Sequence, residues 1–365
     1  MRNAFVCCTP YHLIISIHMA QTEYKDYIND IYISDHFKDS YEIYKKIDSL
    51  KIFNQSFFVR DKEVSYDKSK LKHKKIIKLL KLDLEDVVKE KVPLDYERIS
   101  VFCFSYFSTV LINKIKEKNK NKNIIISMLE DGLGSYLINV KSRKEKMRGL
   151  LSAFFKKLNK NFFSFNQINE LYLFRPEYFV GDINIPIRNI PNLMENVNLN
   201  QVLNSVFNYK EQGIVNNYQM LYFDQTFSTD NVGDVREEDL LVGVLNIVEK
   251  SRMLIKLHPR DRMDKYRILG VSEEKVYQST YPWELIYLNE LPLKSVLISI
   301  NSTAVLTPHL IFNKNHTMIL LYKIAGIQSE EIEKFIAVLR ENNANLSIFI
   351  PKNFEEMREI LKGIA

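Results

Sequence analysis

At about 100–200 residues per domain, a chain of 365 residues has room for two domains. Its 46% hydrophobic and 26% charged content excludes disorder, collagen and coiled coil, and its ten glycines argue against repeats and Gly-rich nucleotide loops. Lys and Arg number 51 and Asp and Glu 45, a net charge of +6 that suits acidic partners without demanding nucleic acid. Cys7, Cys8 and Cys103 are an odd set without metal spacing, which points to a reducing cytosol and away from a disulfide framework or a zinc site.

The first half alternates strand-like and helix-like stretches. Ala4–Cys8 is an apolar run stopped by Thr9-Pro10, and a helix-period stretch covers His12 to Ala20. Asp30–Ser34, Gln55–Val59, Ser100–Phe104 and Asn123–Leu129 are further runs of strand length. Amphipathic segments such as Lys68–Leu82 and Ser108–Lys118 separate them. This alternation implies a parallel sheet covered on both faces, with ligands bound just outside the strand carboxyl ends. The positions of interest are therefore Thr9-Pro10-Tyr11, Ser105-Tyr106 and Glu130-Asp131-Gly132. Beyond them, Lys141 to Lys160 is dense in Lys and Arg with Glu145 as its single acid. Met147, Leu150, Leu151, Phe154, Phe155, Leu158 and Phe162 recur there at helical spacing. A basic amphipathic helix over 141–162 either packs on its own domain or lies on an anionic membrane.

Turn-forming residues from Arg188 to Asn192 mark the best boundary, giving domains 1–190 and 191–365. A second series follows: Gln219–Phe223, Met253–Leu257, Ser295–Ile300 and Thr317–Leu321 as strands, with helices at Glu237–Glu249, Pro282–Leu288 and Thr303–Phe312. The terminal helix Phe354–Lys362 is a candidate to pack back on the N-terminal domain. Two α/β halves with a cleft between them describe a two-domain nucleotide-sugar transferase. No Gly-x-Gly-x-x-Gly, Walker loop, Asp-x-Asp or His-Glu-x-x-His occurs, so a transferase of this sequence is expected to need no metal. No run approaches the roughly 18 apolar residues of a spanning helix. Met1 to Ser16 lacks the long apolar stretch and cleavage site of a signal peptide, so a cytoplasmic protein is expected.

Three stretches carry candidate chemistry. Met128-Leu129-Glu130-Asp131-Gly132 sets two acids after a buried strand, where Asp131 can act as general base and Gly132 lets a substrate approach; a plain Asp-Gly turn is the competing reading. Lys256-Leu257-His258-Pro259-Arg260 ends a strand on an imidazole between basic neighbours, placed to meet a phosphate; a surface His before a turn Pro is the alternative. Ile300-Asn301-Ser302-Thr303 opens a helix, where hydroxyls and amides either bind an anion or simply cap. Glu284, in Tyr281-Pro282-Trp283-Glu284, could accept hydrogen bonds from a ribose.

Taken in order, Glu130-Asp131-Gly132, Lys256-Leu257-His258-Pro259, Pro282-Trp283-Glu284 and Ser302-Thr303 resemble the motifs of bacterial sialyltransferases. Cys8-Thr9-Pro10-Tyr11-His12 resembles the Thr-Pro loop of the lipooligosaccharide sialyltransferases, glycosyltransferase family 52. The resemblance implies a GT-B fold, two Rossmann-like domains facing a central cleft, and an inverting, metal-independent, cofactor-free transfer from CMP-sialic acid. The expected acceptor is a terminal galactoside of a surface glycan, capsule or lipooligosaccharide, sialylated in α-2,3 linkage. By this resemblance Asp131 is the base, His258 assists loss of CMP, Glu284 holds the ribose, and Ser302 and Thr303 hold the phosphate. Closure of the two domains would assemble the site. Thr9, Pro10, Glu130, Gly132, Gln225, Thr226, Lys256, Pro259 and Arg260 are the further candidate substrate contacts. In part of the family the base lies in the loop that here runs Phe223 to Asp234, so Asp230 and Asp234 are alternatives to Asp131.

Lipid-linked acceptors made at the inner leaflet would bring the enzyme to the membrane face through 141–162, and a homodimer is a further expectation. The rival readings are another GT-B transferase using a UDP-hexose, and a nucleic-acid binder. The lysines are spread over several segments without interleaved aromatic platforms, which speaks against nucleic acid.

Overall fold

The computed structural model describes residues 1–62, 83–119, 123–139, 167–227, 235–258, 260–261, 263–292 and 295–364. The amphipathic segments 68–82 and 141–162, together with Asp230, Asp234 and Pro259, lie outside them. The chain forms two compact units, Met1–Tyr209 and Lys210–Ala365.

The first unit holds seven strands: β1 (Arg2–Cys7), β2 (Ile28–Ser34), β3 (Gln55–Val59), β4 (Arg98–Val101), β5 (Ile125–Leu129), β6 (Glu170–Leu173) and β7 (Ile187–Asn189). They pair in parallel in the order β3-β2-β1-β4-β5-β6-β7. Helices α1 (Pro10–Gln21), α2 (Ser40–Leu50), α3 (Tyr106–Lys118) and α4 (Leu199–Phe207) belong to the same unit. The order reverses between β1 and β4, and such a switch point opens a crevice at the strand carboxyl ends. One face of the sheet buries Val6, Tyr32, Val101 and Ile126 against Phe107, Leu111 and Ile115 of α3. The chain breaks later than the turn-rich stretch 188–192, because β7 extends the sheet and α4 packs on α2 and α1.

The second unit repeats the plan with β8 (Met220–Phe223), β9 (Met253–Lys256), β10 (Val276–Tyr277), β11 (Val296–Ser299), β12 (Met318–Leu320) and β13 (Ile348–Phe349). Their order is β10-β9-β8-β11-β12-β13, again all parallel, with the switch point between β8 and β11. Its helices are α5 (Glu237–Leu245), α6 (Asp264–Ile268), α7 (Trp283–Glu290), α8 (Thr307–Phe312), α9 (Glu330–Asn342) and α10 (Phe354–Ile364). Met357 and Leu361 of α10 lie in this unit's core beside Tyr222, Ile255 and Ile298. The expected helix Thr303–Phe312 starts as one 3-10 turn, Thr303–Val305, before Pro308 opens α8. Among the described residues no helix is long and apolar enough to cross a membrane.

Candidate active site

In the first unit the switch point gathers the ends of β1, β4 and β5. Thr9 caps α1, its hydroxyl accepting from the His12 amide at 3.2 Å, and Pro10 takes the first helical position, where no amide is needed. This turn places Tyr11 and His12 against the two acids that follow β5. The Tyr11 hydroxyl donates to Glu130 Oε1 at 3.2 Å, and His12 Nε2 meets Asp131 Oδ1 at 2.9 Å. The Cys8 amide donates to His12 Nδ1 at 3.1 Å, so the ring proton sits on Nε2 and points at the carboxylate. His12 is buried and stacks flat on Phe102, with centroids 4.1 Å apart and planes at 4°.

The two acids have opposite surroundings. Glu130 is fully buried and also accepts from the Tyr136 hydroxyl at 2.6 Å and the Phe174 amide at 2.9 Å. Loss of solvent pushes its carboxyl up to about 7, against the opposing pull of those donors. The Asp131 side chain is 44% exposed. Shelter from water belongs to Glu130, and Asp131 stands half-exposed at the end of β5. Gly132 follows at φ 76°, ψ −158°, a backbone state that side chains with a Cβ rarely take, and it lets the Ser135 hydroxyl accept from the Asp131 amide at 2.8 Å.

Further along the same edge, Asp61 is buried and accepts from Ser34 Oγ at 2.5 Å and from the Phe107 amide of α3 at 3.2 Å, with His36 Nε2 at 3.1 Å. These partners hold its carboxyl below the usual range in spite of burial.

In the second unit β8, β9 and β11 deliver the other candidates. Gln225 bridges the switch point: its carbonyl accepts from Ser299 Oγ and the Asn301 amide, both at 2.9 Å, and its amide donates to Asn301 Oδ1 at 2.8 Å. This fixes the Asn301-Ser302-Thr303 turn. The Ser302 hydroxyl accepts from the Ala304 amide at 3.3 Å and caps the 3-10 turn. Thr226 is buried, and its hydroxyl accepts from Arg260 Nη2 at 3.3 Å. The Arg260 amide donates to His258 Nδ1 at 3.2 Å, which leaves the His258 ring proton on Nε2.

Lys256 ends β9 and is buried; lost hydration lowers its ammonium to about 8, and the charge of Glu284 opposes the drop. Glu284, in the first turn of α7, is equally buried and shifted up by desolvation, with Lys256 pulling the other way and the Thr307 hydroxyl donating at 3.5 Å. Lys256, Glu284 and Thr307 thus form one buried group at the end of β9. Asp224 is buried beside Lys265, 2.9 Å away, and desolvation raises it to about 6. It belongs to a cluster in which Lys265 also meets Asp261 at 2.7 Å and Glu237 at 3.7 Å.

The sequence-derived candidates fall into two groups. Thr9, Pro10, Glu130, Asp131 and Gly132 come together in the first unit; Gln225, Thr226, Lys256, His258, Arg260, Glu284, Ser302 and Thr303 come together in the second. Thr307 joins the second group from outside the motifs, while Tyr11, His12 and Asn301 stand inside them and gain their partners only in the fold. For His12 a signal existed: a polar ring directly before the apolar run Leu13–Ile17 needs a buried partner.

Two parallel sheets of Rossmann strand order, each with its polar residues at the strand carboxyl ends, are the plan of the GT-B class. Solved structures of that class share the fold. An α/β-galactoside α-2,3-sialyltransferase from Photobacterium phosphoreum matches with a TM-score of 0.51 at 11% identity, over 96% of this chain and 97% of that one. The spinosyn rhamnosyltransferase SpnG matches with a TM-score of 0.53 at 10% identity, over 100% and 91%. No curated protein matches the chain in sequence. The model of the alpha-2,8-polysialyltransferase family matches residues 3–321, and the chain belongs to that family. It is a glycosyltransferase of the sialyltransferase class.

Proposed function

We propose that the protein transfers sialic acid from CMP-sialic acid to a hydroxyl of a glycan acceptor, with inversion and without a metal. The observation that carries this reading is the grouping of Lys256, His258, Glu284, Ser302 and Thr303 at the carboxyl ends of one sheet, in a chain of a sialyltransferase family. In the second unit Glu284 takes the ribose hydroxyls of CMP. Lys256, His258 Nε2 and the Ser302-Thr303 turn take the phosphate, whose charge grows as the bond to the sugar breaks. In the first unit Asp131 accepts the proton of the acceptor hydroxyl as its oxygen attacks the anomeric carbon. Glu130, held by Tyr11, Tyr136 and the Phe174 amide, fixes the loop that carries Asp131.

The family description favours an acceptor that itself ends in sialic acid, extended in α-2,8 linkage; the terminal galactoside expected from the sequence is the second reading. Both would be made at the cytoplasmic face on surface-glycan precursors. The test is incubation with CMP-sialic acid and, separately, galactose-terminated and sialic-acid-terminated oligosaccharides, with linkage analysis of the product. Release of CMP with a sialylated product is expected, unchanged by excess chelator. UDP released from a UDP-sugar in its place would overturn the donor assignment, and activity lost to chelator and restored by Mg²⁺ or Mn²⁺ would overturn metal independence.

A further inference from the structure

Tyr11 and His12, adjacent on the first turn of α1, hold Glu130 and Asp131, adjacent after β5. The His12 contact differs from its neighbour in kind. Glu130 is buried under several donors, so Tyr11 is one support among three. Asp131 is half-exposed, and a carboxylate that reaches solvent on a short side chain samples several rotamers. His12 reaches it from a fixed frame: the ring is buried, stacked on Phe102, and pinned at Nδ1 by the Cys8 amide. With Nδ1 used as an acceptor, Nε2 can only donate, and it donates to Oδ1 at 2.9 Å. Oδ2 is then the oxygen left to meet substrate.

We propose that His12 is a positioning residue for the transfer reaction: it holds one oxygen of Asp131 so that the other meets the acceptor hydroxyl in a single orientation. The proposal rests on the reading of Asp131 as the base. A carboxylate held in one attitude loses less freedom on reaching the transition state, and misplacement of a reacting group by about 1 Å can cost on the order of 10²-fold.

Two substitutions separate the two hydrogen bonds of the ring. In His12→Asn the side-chain carbonyl can still accept from the Cys8 amide, but no donor reaches Asp131. In His12→Gln the longer amide can still donate to Asp131, but the Cys8 amide loses its acceptor. Active protein is counted by calorimetric titration with CMP, which does not need the first unit's carboxylates. His12→Asn is expected to lose about 10–100-fold in kcat per CMP site with acceptor KM within about threefold, while His12→Gln stays within about fivefold of wild type. If His12 acts through Asp131, the pair His12→Asn with Asp131→Asn is no slower than Asp131→Asn alone. Equal losses in the Asn and Gln variants, or losses that multiply in the double variant, would overturn the proposal while leaving the base assignment standing. Wild-type transfer by Asp131→Asn alone would instead overturn the base assignment beneath it.

Discussion

The two units share a strand order and differ in what stands at the strand ends. The first collects carboxylates: Glu130 and Asp131 after β5, Asp35 after β2, Asp61 after β3. The second sets cations and hydroxyls beside its acids: Lys256 and His258 at the end of β9, Arg260 in the next turn, Ser302 and Thr303 after β11, with Asp224 after β8 paired to Lys265. The comparison extends to single positions. A histidine stands two residues beyond the second strand of each unit, His36 after β2 and His258 after β9. His36 leans on the buried Asp61, whereas His258 accepts from the Arg260 amide. A serine caps the turn after each switch-point strand, Ser105 before α3 and Ser302 before the 3-10 turn. Burial then acts on both sides with opposite sign, raising the Glu130 carboxyl to about 7 and lowering the Lys256 ammonium to about 8. Each sheet supplies a crevice at its switch point, and in the proposed mechanism the residue types after the strands suit the first to a sugar hydroxyl and the second to a nucleotide phosphate.

The largest effect is expected at His258, to which the proposed mechanism gives the leaving phosphate. His258→Ala should lower turnover by roughly 10²–10⁴-fold, with CMP binding weakened less. A near-normal rate in steady-state assays would remove the imidazole from the chemistry.

Glu130 tests the other side through stability. Its carboxyl titrates near 7 in the fold and near 4.5 as a free side chain, so the folded protein holds this proton more tightly. Stability from this group is greatest below pH 4.5, falls as pH rises from there to 7, and is level above. The cost at pH 8 is about 3 kcal/mol. Glu130→Gln, neutral at every pH, should raise the melting temperature at pH 8 and leave it nearly unchanged at pH 4.5. Equal effects at both pH values would mean that the buried charge costs nothing.

Lys256 should respond in the opposite sense. Its ammonium attracts a phosphate only while protonated, so CMP affinity should fall as pH rises through about 8. In Lys256→Met the affinity is expected to be about tenfold weaker, roughly 1.4 kcal/mol, and to lose that decline. Calorimetry across pH 7–9.5 reads both. A smaller effect belongs to the cap: Ser302→Ala should cost about 1 kcal/mol of stability in denaturant unfolding.

How far the sequence foretold this molecule follows from what each segment's pattern depends on. Strands such as β1 and β8 are buried almost throughout and read as continuous apolar runs, so the sequence places them to within two residues. β7 and α4 were not, because Arg188–Asn192 and the Asn-rich stretch beyond it look like a linker, and only contacts with β6, α2 and α1 make them part of the first unit. β13 is two residues long and depends on its pairing with β12. At the site, the placement of Glu130-Asp131 after a strand was legible. Which acid is buried was not: besides the nearby Tyr136, Glu130 is covered by the Phe174 amide beyond β6, a partner that adjacent sequence does not reveal. The His12–Asp131 contact spans 119 residues and escaped local reading for the same reason.

The central claim is a division of labour, acceptor chemistry in the first unit and donor binding in the second. Asp131→Asn tests it most directly: the amide is nearly isosteric, can still accept from His12, and cannot take a proton. Sialyl transfer and CMP affinity are measured on the same preparation. Transfer should fall by about 10²-fold or more while CMP affinity stays within about threefold, and Asp230→Asn and Asp234→Asn should each cost much less. Transfer at the wild-type rate, with Asp230→Asn or Asp234→Asn inactive, would move the base to the loop after β8 and contradict the account.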